Sequence, residues 1–185
     1  EVWNDSPKVM VLIGQMNPNS ELELALSKLN AKSTFLIFSE TLSNLNGVAS
    51  VSSIDRLINT ISEEELESLK PDLLITIGGE VVSKIIKNYL KSNEPKAHWQ
   101  ISDQGNLKDT FESLIDCLAC EPVEFLNQLT ESVSPKEDDY SKYWMQKDNE
   151  KATVHDEYVL QSGFSDMVAY DAILKACPGD SQLHL

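Results

Sequence analysis

Pro71-Asp72-Leu73-Leu74-Ile75-Thr76-Ile77-Gly78-Gly79-Glu80-Val81-Val82-Ser83-Lys84-Ile85-Ile86 decides the fold. From Leu73 to Ile77 only Thr76 is polar, a run too short for a helix and consistent with a strand buried on both faces. The paired glycines stop it. Val82, Ile85, Ile86 and Tyr89 then recur at helical spacing, so strand, tight turn and helix follow one another as in a βαβ unit. In open parallel sheets ligands sit beyond the carboxyl ends of strands, where glycines admit close backbone approach and helix N-termini offer unpaired N–H groups. Gly78 and Gly79, with Ser83 and Lys84 beyond them, are therefore the candidate anion-binding turn.

Working outward toward the N-terminus, Val9-Met10-Val11-Leu12-Ile13 is a second continuous apolar strand, closed by Gly14. Ser20 with Glu23 has capping-box spacing, and Leu22, Leu26 and Leu29 supply the buried face of a first helix. Thr34 to Phe38 is the next strand. Ser39 to Gly47 follows as a loop too polar for a core element, at the same carboxyl edge as Gly78. Ile54, Leu57, Ile58 and Ile61 mark a short helix, and Glu64 to Leu69 adds a further turn or two.

Toward the C-terminus, Ala97 to Ile101 is a shorter strand with Trp99 and Ile101 on one face. Leu107, Phe111, Leu114, Ile115 and Leu118 form the stripe of a helix ending near Cys120, and Pro122 restarts a helix that Phe125 and Leu129 continue. This alternation predicts an α/β fold, a three-layer open and mainly parallel sheet of about five or six strands with helices on both faces. From Ser132-Val133-Ser134-Pro135 to about Asp156 the chain is charged, with Tyr140, Tyr143 and Trp144 as apolar anchors of a surface or linking helix. Phe164 to Ala176 is a final helix, leading into a strand that begins at Ser181-Gln182-Leu183-His184-Leu185. The expected division is a linker over 1–7, a central domain over 8–153 and the start of another domain over 154–185. A strand cut off there, and a start at Glu1, are expected of a piece of a longer polypeptide.

The totals narrow the function. Thirty acids against fifteen bases give a formal charge of −15, which repels phosphate backbones and anionic membranes, so neither nucleic acid nor membrane is an expected partner. No apolar run is long enough for a membrane span or a signal peptide. The acidic runs Ser62 to Glu67 and Lys136 to Asp139 read as solvated faces. Cys117-Leu118-Ala119-Cys120 has CxxC spacing but falls at the end of the expected helix, where a thiolate is not stabilised, and no second ligand pair completes a zinc site. Three reduced cysteines fit a reducing cytoplasm. His98, His155 and His184 share no motif with a nucleophile, so no catalytic residue and no metal site are expected. The turn lacks the GxGxxG dinucleotide fingerprint, and Glu80 would oppose a pyrophosphate. Ser83, Lys84 and the backbone N–H groups can instead hold a carboxylate; the plainer reading of Lys84 is a solvated lysine.

Four stretches, in order over residues 8 to 110, resemble the middle domain of the 2-succinyl-5-enolpyruvyl-6-hydroxy-3-cyclohexene-1-carboxylate (SEPHCHC) synthase family. They are Val11 to Met16, Ser39 to Ser43, Pro71 to Gly79 with Val82-Ser83-Lys84, and His98 to Ile101. The tail from Ser162 to Leu185 is similar to the opening of that family's diphosphate-binding domain. The resemblance implies a Rossmann-like central domain of a thiamine-diphosphate enzyme, a transferase of menaquinone (vitamin K2) biosynthesis. Such enzymes decarboxylate 2-oxoglutarate on thiamine diphosphate, the electron sink, with Mg²⁺, and add the succinyl-semialdehyde unit to isochorismate. Their site lies between domains of different subunits, which implies a cytoplasmic homo-oligomer. The pyrimidine domain and the acidic Mg²⁺ motif are missing from this chain, so the fragment is expected to bind no cofactor and to be inactive alone. Its partners would be the missing domains and small acidic substrates. Lys84 matches the family lysine that approaches the substrate, with Ser83 beside it; Ile85 stands where some members carry arginine. Two other readings stay open at this point: an independent FAD- or NAD-binding Rossmann-like module, and an interaction domain with no ligand.

Overall fold

The computed structural model describes residues 1–103, 109–179 and 181. Five parallel strands make one sheet: β1 (Val9–Ile13), β2 (Leu36–Ser39), β3 (Leu73–Ile77), β4 (Ala97–Ile101) and β5 (Asp116–Leu118). Their order is β2-β1-β3-β4-β5, with Val9 opposite Leu73 and Ile13 opposite Ile77 at the centre. The helices are α1 (Val2–Asp5), α2 (Ser20–Lys32), α3 (Ile54–Ile58), α4 (Glu63–Ser68), α5 (Lys84–Ser92), α6 (Pro122–Ser132), α7 (Asp139–Gln161) and α8 (Asp166–Ala176).

Side chains alternate across each strand, and in β1, β2 and β3 both sets are buried except at the half-buried Thr76. Val9, Val11, Ile13, Leu73, Ile75 and Ile77 pack on one face with Leu22, Leu26 and Leu29 of α2 and Leu126 of α6. Met10, Leu12, Leu36, Phe38 and Leu74 pack on the other with Leu57 of α3, Ile86 and Leu90 of α5 and Trp144 of α7. Two-sided burial is why β1 is apolar without interruption and β3 apolar except at the half-buried Thr76. The crossover through α2 leads from β1 outward to β2, while that through α5 leads from β3 the opposite way to β4. The direction of winding therefore reverses between β1 and β3, the place where open α/β sheets form a ligand crevice.

Several local expectations are corrected. Residues 1–7 are not a free linker: α1 buries Trp3, whose indole N–H donates to Ser33 Oγ at 3.0 Å. The cap of α2 is Asn19, whose side chain accepts the Leu22 N–H, while Glu23 accepts from the Asn46 N–H instead of closing a box with Ser20. The polar loop after β2 contains a 3-10 turn, Thr41–Ser43, and buries Ser39 and Ser43. Val81 rather than Val82 is buried after the glycines, since the helix starts only at Lys84.

The largest correction is the helix expected to end near Cys120. Leu107 lies outside the described residues; beyond it Asp109 Oδ1 accepts from the Ser113 and Leu114 N–H groups, a local alternative to helix hydrogen bonding. The Ile115 N–H bonds the His98 carbonyl and the chain continues as β5 along β4, so Ile115 is exposed and Phe111 is buried. An apolar stripe at helical spacing lost to the unpaired edge of β4.

The chain forms two compact units, Glu1–Asp148 and Asn149 onward. The second contains the rest of α7 and α8, whose Ser165 side chain accepts the Val168 N–H as the expected final helix begins, while Phe164 before it is exposed. The strand expected after Ser181 lies outside the described residues. Among the described residues no helix is long and apolar enough to cross a membrane.

Candidate functional site

The two glycine turns meet at the carboxyl ends of β1 and β3. Gly78 takes a left-handed backbone with φ +88°, which a residue without Cβ adopts freely. The Gly14 N–H donates to Ile77 O at 2.9 Å, the Gln15 N–H to Glu80 O at 3.0 Å and the Gly79 N–H to Gln15 O at 2.8 Å. A Cβ on Gly14 would lie 2.2 Å from Gly79 O, and one on Gly79 2.9 Å from Gln15 O. Backbone of the two turns is thus in close contact, and a cleft of about 440 Å³ lies against Gly78 and Gly79, lined also by Gln15, Asn17, Ser102 and Asp103. A neighbouring cavity of about 210 Å³ is lined by Thr76, Gln100, Ser102, Thr110 and Phe111. The reading of an independent FAD- or NAD-binding module is not supported, because the turn lacks the GxGxxG fingerprint and the N–H groups before the next helix hold a protein carboxylate.

Beyond the glycines, Ser83 is the N-cap of α5: its Oγ accepts from the Ile85 and Ile86 N–H groups, both at 3.2 Å, and its hydroxyl donates to the Asp55 carboxylate. The helix carries no acidic residue in its first turn. Its anion comes from elsewhere. Glu40, just past β2, accepts the Val82 N–H at 2.8 Å on Oε2 and 3.1 Å on Oε1, and the Ser83 N–H at 2.6 Å on Oε1. Glu80 was the acid weighed against an incoming anion in the sequence; the carboxylate on these N–H groups is that of Glu40.

Lys84 is the first residue of α5 and is exposed, and among the described residues it makes no ion pair or hydrogen bond. A cation at a helix N-terminus is opposed by the helix dipole by about 0.3–1 kcal/mol, which the Glu40 carboxylate offsets. Arg56, the chain's one arginine, is held by Asp148 at 3.1 Å. Among the described residues the turn can therefore offer an incoming carboxylate the Lys84 ammonium, a point charge with no bidentate fork. Lys84, Ser83, Gly78 and Gly79 are brought to one edge, but the Ser83 hydroxyl is already committed.

The remaining candidates are structural. His98 is 1% exposed, with Nε2 3.0 Å from Thr76 Oγ1 and Nδ1 3.3 Å from Ser113 Oγ, and its ring meets Phe111 edge-on. Burial pushes its pKa down to about 4 against a smaller opposing effect of Asp109, so the ring is neutral near pH 7. Cys117 lies in β5 and Cys120 immediately before the cap of α6, so the pair does sit between strand and helix start, contrary to the expected helix end. Burial and then Glu124, Glu121 and Cys117 raise the Cys120 pKa, so this placement still does not favour a thiolate.

At the glycine turn the N–H groups of Val82 and Ser83 are taken by Glu40 and that of Gly79 by Gln15 O, so these three are not open to a diphosphate. Among the described residues no three His, Cys, Asp or Glu side chains are grouped to hold a metal ion.

Residues 2–185 match the family described as "Middle domain of thiamine pyrophosphate". The chain is 33% identical over 192 residues to a 2-succinyl-5-enolpyruvyl-6-hydroxy-3-cyclohexene-1-carboxylate synthase of Flavobacterium johnsoniae, covering 100% of this chain and 33% of the relative. Synthases of the same name from Bacteroides thetaiotaomicron, 33% identical, and Porphyromonas gingivalis, 30% identical, also align with 100% of this chain and with 32% and 34% of their own lengths. The chain spans about a third of the length of the curated relatives it matches.

Proposed function

This chain belongs to the thiamine pyrophosphate middle-domain family, and we propose that it is the central domain of a longer SEPHCHC synthase. The whole enzyme would decarboxylate 2-oxoglutarate and transfer the four-carbon remainder to isochorismate in menaquinone biosynthesis. The observation that carries this reading is similarity along the entire chain to synthases of that one name.

Within such an enzyme this domain is mainly architectural. The central domain runs to about residue 153, with residues 1–7 packed onto it through Trp3, and 154–185 open the diphosphate-binding domain. Thiamine diphosphate and Mg²⁺ are held by the other domains, since the glycine turn is already used by Glu40 and backbone. The enzyme is a cytoplasmic homo-oligomer with its site shared between subunits. Lys84 is the contact from this domain to an anionic substrate. Its ammonium is exposed and free of partners among the described residues, on a rigid helix end at the carboxyl edge of the sheet. Gly78 and Gly79 shape the turn, and Ser83 serves the site by capping α5 rather than by touching substrate.

The test is an assay of the full-length protein and of this 185-residue chain with 2-oxoglutarate, isochorismate, thiamine diphosphate and Mg²⁺. Product from the full-length protein alone supports the reading. Absence of product from the full-length protein, with cofactor bound, refutes it.

A further inference from the structure

We propose that Glu40 is the positioning residue for Lys84, fixing the turn that presents it and closing the N-terminus of α5 to the substrate's own carboxylates. This rests on the reading that Lys84 meets an anionic substrate.

Strand order makes the contact informative. With β1 between β2 and β3, the Glu40 side chain reaches from the end of β2 past the end of β1 to the segment leaving β3. Its own loop is held in place at several points. The Glu40 N–H donates to Ser43 Oγ at 2.9 Å, the Ser43 hydroxyl to Ile13 O at 2.6 Å and the Met16 N–H to Leu42 O at 3.0 Å. One carboxylate on a braced loop therefore takes the N–H groups of Val82 and Ser83, the last two residues before α5, beyond the point where the Gln15 N–H holds Glu80 O and Val81 is buried. The Asp55 carboxylate takes the Ser83 hydroxyl, so the residue before Lys84 is held from two sides.

The charge has a second consequence. An open helix N-terminus attracts carboxylates, and two free N–H groups beside Lys84 would compete with its ammonium for the substrate. With Glu40 in place those groups are filled, and the substrate anion is left to Lys84. Removing Glu40 would loosen the turn and create a competing, displaced anion site.

The experiment uses the full-length synthase and steady-state kinetics of Glu40→Ala, Glu40→Gln, Lys84→Ala and the Glu40→Ala/Lys84→Ala double variant. Glu40→Ala is expected to raise KM for isochorismate about tenfold while KM for 2-oxoglutarate and kcat stay within about twofold. Glu40→Gln, whose amide oxygen in the Oε1 place accepts from both N–H groups while its NH2 group faces the Val82 N–H, should recover part of the loss. The double variant should be no worse than Lys84→Ala, because both act through one contact. Should Glu40→Ala not fold, Glu40→Asp, too short by one methylene to reach both N–H groups, is read in its place with the same expected rise. A parent-like KM in Glu40→Ala, or losses that multiply in the double variant, would overturn the proposal while leaving Lys84 in the site. A parent-like KM in Lys84→Ala would overturn the site reading itself, and this proposal with it.

Discussion

Replacing Gly14 by alanine tests the close backbone contact between the two glycine turns on which the reading of the site depends. The new Cβ would lie 2.2 Å from Gly79 O, 3.0 Å from Gly79 C and 3.2 Å from Glu80 O, all of them backbone atoms that cannot rotate away. To restore an ordinary carbon–oxygen contact the β1 and β3 turns must separate by about 1 Å. Overpacking of that kind costs roughly 1–3 kcal/mol. The hydrogen bonds joining Gln15 to Gly79 and Glu80 lie in the path of the shift, and losing one or both adds about 1 kcal/mol each. The total of roughly 2–5 kcal/mol is a large share of a typical domain's stability. Urea unfolding of this chain, followed by fluorescence of the buried Trp3 and Trp144, should show the midpoint falling by about 1–2 M. Gly163, where a Cβ meets nothing within 4 Å, is the control, and Gly163→Ala should leave the midpoint unchanged or slightly raised. Equal midpoints for Gly14→Ala and the parent would refute the account of the turn.

Two further outcomes follow from buried groups. His98 is held neutral with a pKa lowered from 6.5 to about 4, so the unfolded chain binds its proton first as the pH falls. Its stabilising contribution is whole above about pH 7 and declines between pH 6.5 and 4, by about 2 kcal/mol from pH 7 to pH 5. The stability difference between parent and His98→Gln, from urea unfolding at those two values, should shrink by that amount, and a constant difference would count against a neutral His98. Among the cysteines, exposed Cys177 should alkylate at pH 8 roughly fivefold or more faster than Cys120, whose thiol is held protonated by burial and by Glu124 and Glu121. Mass spectrometry of partly labelled protein decides this, and first labelling at Cys120 would contradict it.

What could be read from the sequence follows from how local its causes are. Val9–Ile13 and Leu73–Ile77 are legible because a strand buried on both faces is apolar at nearly every position, Thr76 being the one half-buried exception. Pro122 at the start of α6 is legible because proline suits a first helical turn. The stretch before Cys120 was not, since its apolar stripe fits a helix and only the open edge of β4 makes it a strand. Trp3 looked like part of a linker because its partner, Ser33, is thirty residues away. Glu40 illustrates the same limit at the site. It lies 42 and 43 residues from its two donors, beyond any spacing rule, although an α5 first turn with no acid of its own hinted that a carboxylate would come from another element. Lys84 is legible as a lysine in a first helical turn beyond paired glycines, and the family resemblance adds its role toward substrate; the fold adds that it is exposed and that its side chain is without a partner among the described residues.

The most direct test of the central claim is kcat/KM for each substrate in the full-length synthase with and without Lys84→Ala. Loss of a charged hydrogen bond to a carboxylate is worth about 1.5–3 kcal/mol, so kcat/KM for isochorismate should fall by roughly 10- to 150-fold. The 2-oxoglutarate decarboxylation step should change by less than about threefold. Parent values for both substrates would remove this domain's turn from the site and contradict the account.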